Sequence, residues 1–269
     1  SISIGTICAT VGAALLVTLG YWRATRREGW LLLSGIFLGL ALGVKLTAVG
    51  LLAAATVYVT IAMFRNGPHA IFRAALTLGG ATILAFAPWL LKGALLYHNP
   101  IYPYLFGGVS WDPGRALRFS QVNYVGSGLL GSGRAWQWPF LPLSATIFGT
   151  VEHDFDFTPG PWLLTLMLLL PLSWQSLRSD KRAQKLALDS AILGASLLVI
   201  WWLSSSVTNI GIQTRFMTMA MPVWAVLGAL AIYGIQRWPM KPLNVYFVFQ
   251  ALFVLSLILD TVDVVRFFV

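Results

Sequence analysis

Residues 30–64 form one apolar run with a single charge in it, Lys45, and a basic stretch at each end. As a single helix the run would be about 52 Å long at 1.5 Å per residue. The hydrocarbon layer of a bilayer is only about 30 Å thick. The stretch before it, "RATRREG", carries Arg23, Arg26 and Arg27; the stretch after it, "RNGPHAIFR", carries Arg65 and Arg73. Short loops rich in Lys and Arg collect on the cytoplasmic face. Both ends of the run therefore belong on one side, and the chain must cross and return. This predicts two short helices, 30–44 and 46–64, turning near Lys45 on the opposite face.

The same reasoning extends along the chain. Residues 2–22, 71–91, 161–177, 186–205, 215–236 and 243–260 are further apolar segments of membrane-crossing length. The fold class expected is all-α: a polytopic transmembrane bundle of about eight helices. The interval 92–160, rich in Gly, Pro and aromatic residues, is too long for a tight connection and is expected as one long non-cytoplasmic loop with short interfacial helices. The chain then divides into N-terminal membrane helices (1–91), that loop (92–160) and C-terminal membrane helices (161–269). Composition agrees: 58% of residues are hydrophobic and 10% charged, against about 25% charged in soluble domains.

Charge gives the orientation. Eleven of the eighteen Lys and Arg fall in 23–28, 65–73, 178–185 and 237–241, the loops that alternate onto one side. That side is expected to be cytoplasmic, which puts both termini and the long interval outside, in a bacterial inner membrane. The net charge of +9 follows from those loops, so no nucleic-acid partner is read from it. The single cysteine, Cys8, allows no disulfide within the chain. The chain begins with Ser1 and enters an apolar helix at once, which is expected of a truncated or processed N-terminus.

Candidate chemistry concentrates on the outer face. "EHDFD" (152–156) brings three carboxylates and His153 together, but its spacing matches no ion-binding loop; no metal and no cofactor are expected. Lys45 either turns the hairpin at the interface or faces a polar cavity. Lys92 closes its helix near Trp89, and Arg215 opens an otherwise apolar helix; arginine at that depth reaches headgroups or clamps a phosphate. In "LYHNPIYPYLFGG" (96–108), Pro100 and Pro103 end the helix. Tyr97, Tyr102 and Tyr104 suit the interface, and His98 with the tyrosines can wall a lipid or sugar site. Gly35, Gly39 and Gly43 recur every fourth residue, a smooth strip that lets a neighbouring helix approach. Nucleotide-binding, redox and serine-hydrolase motifs are not found in the sequence.

Three segments together resemble the GT-C class of membrane glycosyltransferases, in the dolichyl-phosphate-mannose transferase-like and ArnT-like group. "GLALGVKLTAV" (39–49) is similar to its glycine-rich helix ending in Lys. "KGALLYHNPIYPYLF" (92–106) is similar to its helix exit, usually Gly-Asn-Pro-x-Tyr-Pro. "TRFMTMAMPVWAVLGAL" (214–230) is similar to its Arg-aromatic segment. The likeness also covers "FTPGPWLLTLMLLLPL" (157–172). It implies transfer of a sugar from a polyprenyl-phosphate donor to an acceptor outside. Lys92 and Arg215 would then hold the donor phosphate, and His98 and Tyr102 would line the cavity. The sequence departs from the group in two places: His98 stands where glycine is usual, and no Asp occurs before position 112. The group's catalytic Asp lies in the first outer loop, so the resemblance implies either that it is supplied upstream of Ser1 or that this protein has lost it. The alternative is a non-catalytic integral subunit of a larger membrane complex, with other membrane subunits as partners; a carrier is a third, weaker reading, since no internal repeat is seen. The sidedness has a direct check. A cysteine at position 98 should react with an impermeant thiol reagent added to intact cells, and one at position 66 should react only after lysis; the reverse pattern would overturn the orientation.

Overall fold

The computed structural model describes residues 4–102, 112–114, 117, 139–147, 170–171, 173–205, 214–236, 247, 250–251 and 254. Among these the regular structure is entirely helical: α1 (Ile4–Thr25), α2 (Glu28–Val44), α3 (Val49–Met63), α4 (Pro68–Tyr97), α5 (Leu141–Ile147), α6 (Lys181–Ser205) and α7 (Met221–Gln236), with 3-10 turns at Leu46–Ala48, Phe64–Asn66 and Thr214–Met219. Four helical stretches are long and apolar enough to cross a membrane: Ile7–Thr25, Leu46–Asn66, Pro68–Tyr97 and Lys181–Ser204. Two shorter apolar helices, Glu28–Val44 and Met221–Ile235, pack among them. Most of the segments expected at 243–260 and 161–177, and most of the 92–160 interval with its "EHDFD" cluster, lie outside the described residues.

The long apolar run divides at the residue that interrupts it. Lys45 is extended (φ −155°, ψ 122°), α2 ends at Val44, and one 3-10 turn starts the return. The extended residue breaks the helical path, and α3 runs back beside α2. α4 is longer than the expected 71–91. It starts with Pro68, which needs no helical partner at that position, and continues to Tyr97 over 30 residues. That is about 45 Å, so the helix outreaches the hydrocarbon.

The tightest helix contact is between α2 and α4, and the glycine strip makes it. A methyl group built on Gly35 would lie 2.6 Å from both the Ala81 Cβ and the Leu78 carbonyl oxygen. One on Gly39 would lie 2.6 Å from the Ala85 Cβ, and Gly43 lies directly against the Trp89 indole. No side chain larger than hydrogen fits at these three positions without moving α4. In lipid, such close backbone approach supplies the dispersion contact that the hydrophobic effect does not. Around this pair, Leu15, Leu19 and Trp22 of α1, Leu31 and Leu38 of α2, and Leu51 of α3 form one core with Leu193 of α6 and Val223 of α7. The hydroxyls of Thr18 and Ser34, both buried, hydrogen bond at 2.7 Å between α1 and α2.

The basic stretches meet at one end of the bundle. Glu28 and Arg73 form an ion pair at 2.6 Å that joins the α1–α2 turn to the start of α4. Arg26 donates to the Ala62 carbonyl at the end of α3 at 3.3 Å and lies over the Trp22 ring. Asp180 caps α6, accepting from the main-chain N–H of Arg182 at 3.0 Å and of Ala183 at 3.1 Å, and receives the Tyr233 hydroxyl of α7 at 3.1 Å. Asp189 is buried two turns into α6 and pairs with Arg23 in the last turn of α1. An uncompensated carboxylate at that depth would be costly, and the guanidinium compensates it. Lys45 and the 92–102 segment lie at the opposite end, because α2 and α4 both run away from the basic turns.

The strip sets a stability test. Gly39→Leu must force α2 and α4 apart, and overpacking of this kind costs about 1–3 kcal/mol. The variant should melt several degrees below the parent in detergent, whereas Gly29→Leu, with open space around it, should not. Equal melting temperatures would show that the α2–α4 contact is not tight.

Candidate functional site

Where α2 ends and α4 leaves the bundle, the two helices border an open-sided cavity of about 210 Å³. The α2 end contributes Leu42, Gly43, Val44 and Lys45; α4 contributes Phe86, Trp89, Lys92 and Tyr97; Pro100 and Tyr102 close the third side. The local causes are visible in sequence order. The glycine strip holds the two helices together up to Gly43, the extended Lys45 ends α2 there, and Lys92 stands one turn beyond Trp89 on α4.

The third side depends on how α4 stops. His98 is left-handed (φ 52°, ψ 24°), and the N–H groups of His98 and Asn99 both point to the Gly93 carbonyl. The chain then folds back onto α4. A Cβ on Gly93 would sit 2.8 Å from the Asn99 carbonyl oxygen and 2.9 Å from that of Pro100. Asn99 is buried at 1% exposure. The Tyr97 and Tyr102 rings stack with centroids 4.6 Å apart and planes 19° from parallel.

The cavity has two kinds of wall. Leu42, Val44, Phe86 and Trp89 are apolar, while Lys45 and Lys92 supply two ammonium groups, and among the described residues no carboxylate lines it. Two cations beside apolar and aromatic surface suit a ligand with an anionic head and an apolar tail.

The structure thus brings together Lys92 and Tyr102 from the sequence candidates and adds Lys45, for which both readings hold: its main chain turns the hairpin and the residue lines a cavity. His98 is exposed and caps the helix beside the cavity instead of lining it; the left-handed backbone needed for the return explains that placement. The main chain of Arg215 belongs to the 3-10 turn Thr214–Met219, which packs on α1, α6 and α7; its side chain lies outside the described residues. Sequence reading did not single out Gly93 or Asn99. The available signal was a Gly six residues before an Asn-Pro pair, which marks a helix end that doubles back. Among the described residues, no group of three His, Cys, Asp or Glu side chains comes together as metal ligands.

Comparison of the chain with protein-family models, curated proteins and solved structures gives no match.

Position 98 separates backbone from imidazole. A non-glycine residue in the left-handed region carries a cost of roughly 1 kcal/mol that glycine avoids. His98→Gly should therefore raise the melting temperature, and His98→Val, β-branched at positive φ, should lower it. If His98→Gly melts lower than the parent, the imidazole itself holds the turn.

Proposed function

We propose that the chain is a membrane glycosyltransferase that moves a sugar from a polyprenyl-phosphate donor to an acceptor on the non-cytoplasmic side. The observation that carries this reading is the meeting of Lys45 and Lys92 on one cavity with apolar and aromatic walls. A polyprenyl phosphate is an anion on a long hydrocarbon tail. Phe86, Trp89, Leu42 and Val44 suit the first tail units, and the ammonium groups suit the phosphate. The sequence resemblance to GT-C enzymes points the same way, through the same two segments.

In such a transfer the bond from the sugar's anomeric carbon to the phosphate oxygen breaks as the acceptor oxygen bonds to that carbon. Negative charge grows on the departing phosphate, and fixed cations beside it lower the barrier. The acceptor's proton goes to a general base. By the resemblance this base is an aspartate of the first outer loop, and Arg215 is a further phosphate contact. Tyr102 and Tyr97 offer aromatic edges to the donor, and His98 stands at the rim. This reading takes the basic end as cytoplasmic, the cavity as facing outward and the full bundle as about eight spans in a bacterial inner membrane.

The test uses the full-length protein in proteoliposomes with a polyprenyl-phosphate sugar. Lys45→Ala and Lys92→Ala should each lower kcat/KM for the donor by about a hundredfold, the usual loss for one group that stabilises developing charge. Unchanged turnover in the double variant would reject the site. Donor binding with no transfer to any acceptor would reject the enzyme and assign the chain as a non-catalytic subunit.

A further inference from the structure

We infer that Asn99 is a positioning residue, which acts through Tyr102 by fixing the turn that carries this ring to the cavity. What ligand the ring meets rests on the donor-site reading above; the positioning itself does not.

Asn99 makes three hydrogen bonds within and beside the turn. Beyond Tyr97 the chain has no helical ladder to follow. The Asn99 side-chain Oδ1 accepts the Ile101 N–H at 2.9 Å. The Asn99 carbonyl accepts the Tyr102 N–H at 3.3 Å, and its own N–H donates to the Gly93 carbonyl at 3.3 Å. Between these lies Pro100, which has no N–H and a fixed φ, so it competes for none of them. An Asn side chain that bonds the N–H two residues on reproduces a backbone turn. Here that bond is shielded, because Asn99 is buried against α4. Gly93 provides the space: with no Cβ, it lets the Asn99 and Pro100 carbonyls rest on the helix. Tyr102 emerges from the closed turn stacked on Tyr97, and both rings line the cavity with Pro100. One buried amide therefore sets the main-chain path on which Tyr102 depends. An alanine at 99 would leave the Ile101 N–H without its side-chain acceptor, whereas an aspartate keeps an oxygen in the same place.

Two measurements on the full chain test this, one of them independent of any ligand. In a Cys8→Ala background, Tyr102→Cys is modified by an impermeant thiol reagent, and the rate is compared with Asn, Asp or Ala at 99. Loss of one buried hydrogen bond corresponds to about tenfold in an equilibrium. Asn99→Ala should therefore speed modification about tenfold, and Asn99→Asp should restore the parent rate. Equal rates for Asn and Ala at 99 would overturn the inference. The second measurement titrates farnesyl phosphate, with farnesol as the uncharged control. Asn99→Ala and Tyr102→Ala should weaken farnesyl phosphate binding by the same factor, and the double variant should be no weaker than either. Additive losses would mean that Asn99 acts elsewhere than through Tyr102, and would overturn the proposal. If the parent binds farnesyl phosphate no better than farnesol, the donor-site reading fails, while the thiol rates still decide whether Asn99 positions the turn.

Discussion

The contact of α2 with α4 through Gly35, Gly39 and Gly43 is the constraint from which the rest of the Lys45–Lys92 end follows. Each glycine removes the side chain that would hold the helices apart, and the three recur on one face because four residues make little more than one helical turn. The contact runs the length of α2 and stops where α2 stops. Lys45, the first residue beyond it, is therefore delivered beside the last turns of α4. Without the strip, the two lysines would stand on separated helices with lipid between them. With it, they face one cavity, and the Trp89 ring covers Gly43 as its floor.

The opposite end is built by a different force. There the charges are many, and the helix ends are tied by ion pairs and caps: Glu28 with Arg73, Arg23 with Asp189, Asp180 with the α6 N-terminus and Tyr233. The Glu28–Arg73 pair is largely exposed and contributes little to stability. The Arg23–Asp189 pair is mostly buried, and its value lies in specificity: α1 and α6 can dock in one register without leaving a charge unmatched in an apolar setting. The two ends thus divide the work, one fixing the register of the helices and the other shaping a space between them.

The return of the chain at 98–102 joins the two kinds of control. A left-handed residue, a buried Asn, a proline and a glycine in the helix beneath convert a membrane helix into a cavity wall within five residues. His98 takes the backbone role that glycine fills more easily. Histidine is among the residues that enter the left-handed region more readily.

The sequence by itself determined the class, the division of the 30–64 run at Lys45, and the grouping of basic turns on one end. These follow from lengths and charges that any bilayer imposes, and they needed no knowledge of which helix touches which. The glycine spacing also announced a close helix contact, though not its partner. Only the tertiary structure decided that the partner is α4, because helix pairing depends on the matching of two surfaces distant in sequence. For the same reason the Arg23–Asp189 pair, separated by more than half of the chain, could not be read in advance, and neither could the joining of Lys45 with Lys92. Asn99 was hidden for another reason: an Asn beside a proline reads as an ordinary turn, and its burial exists only once Gly93 lets the chain lie down on α4.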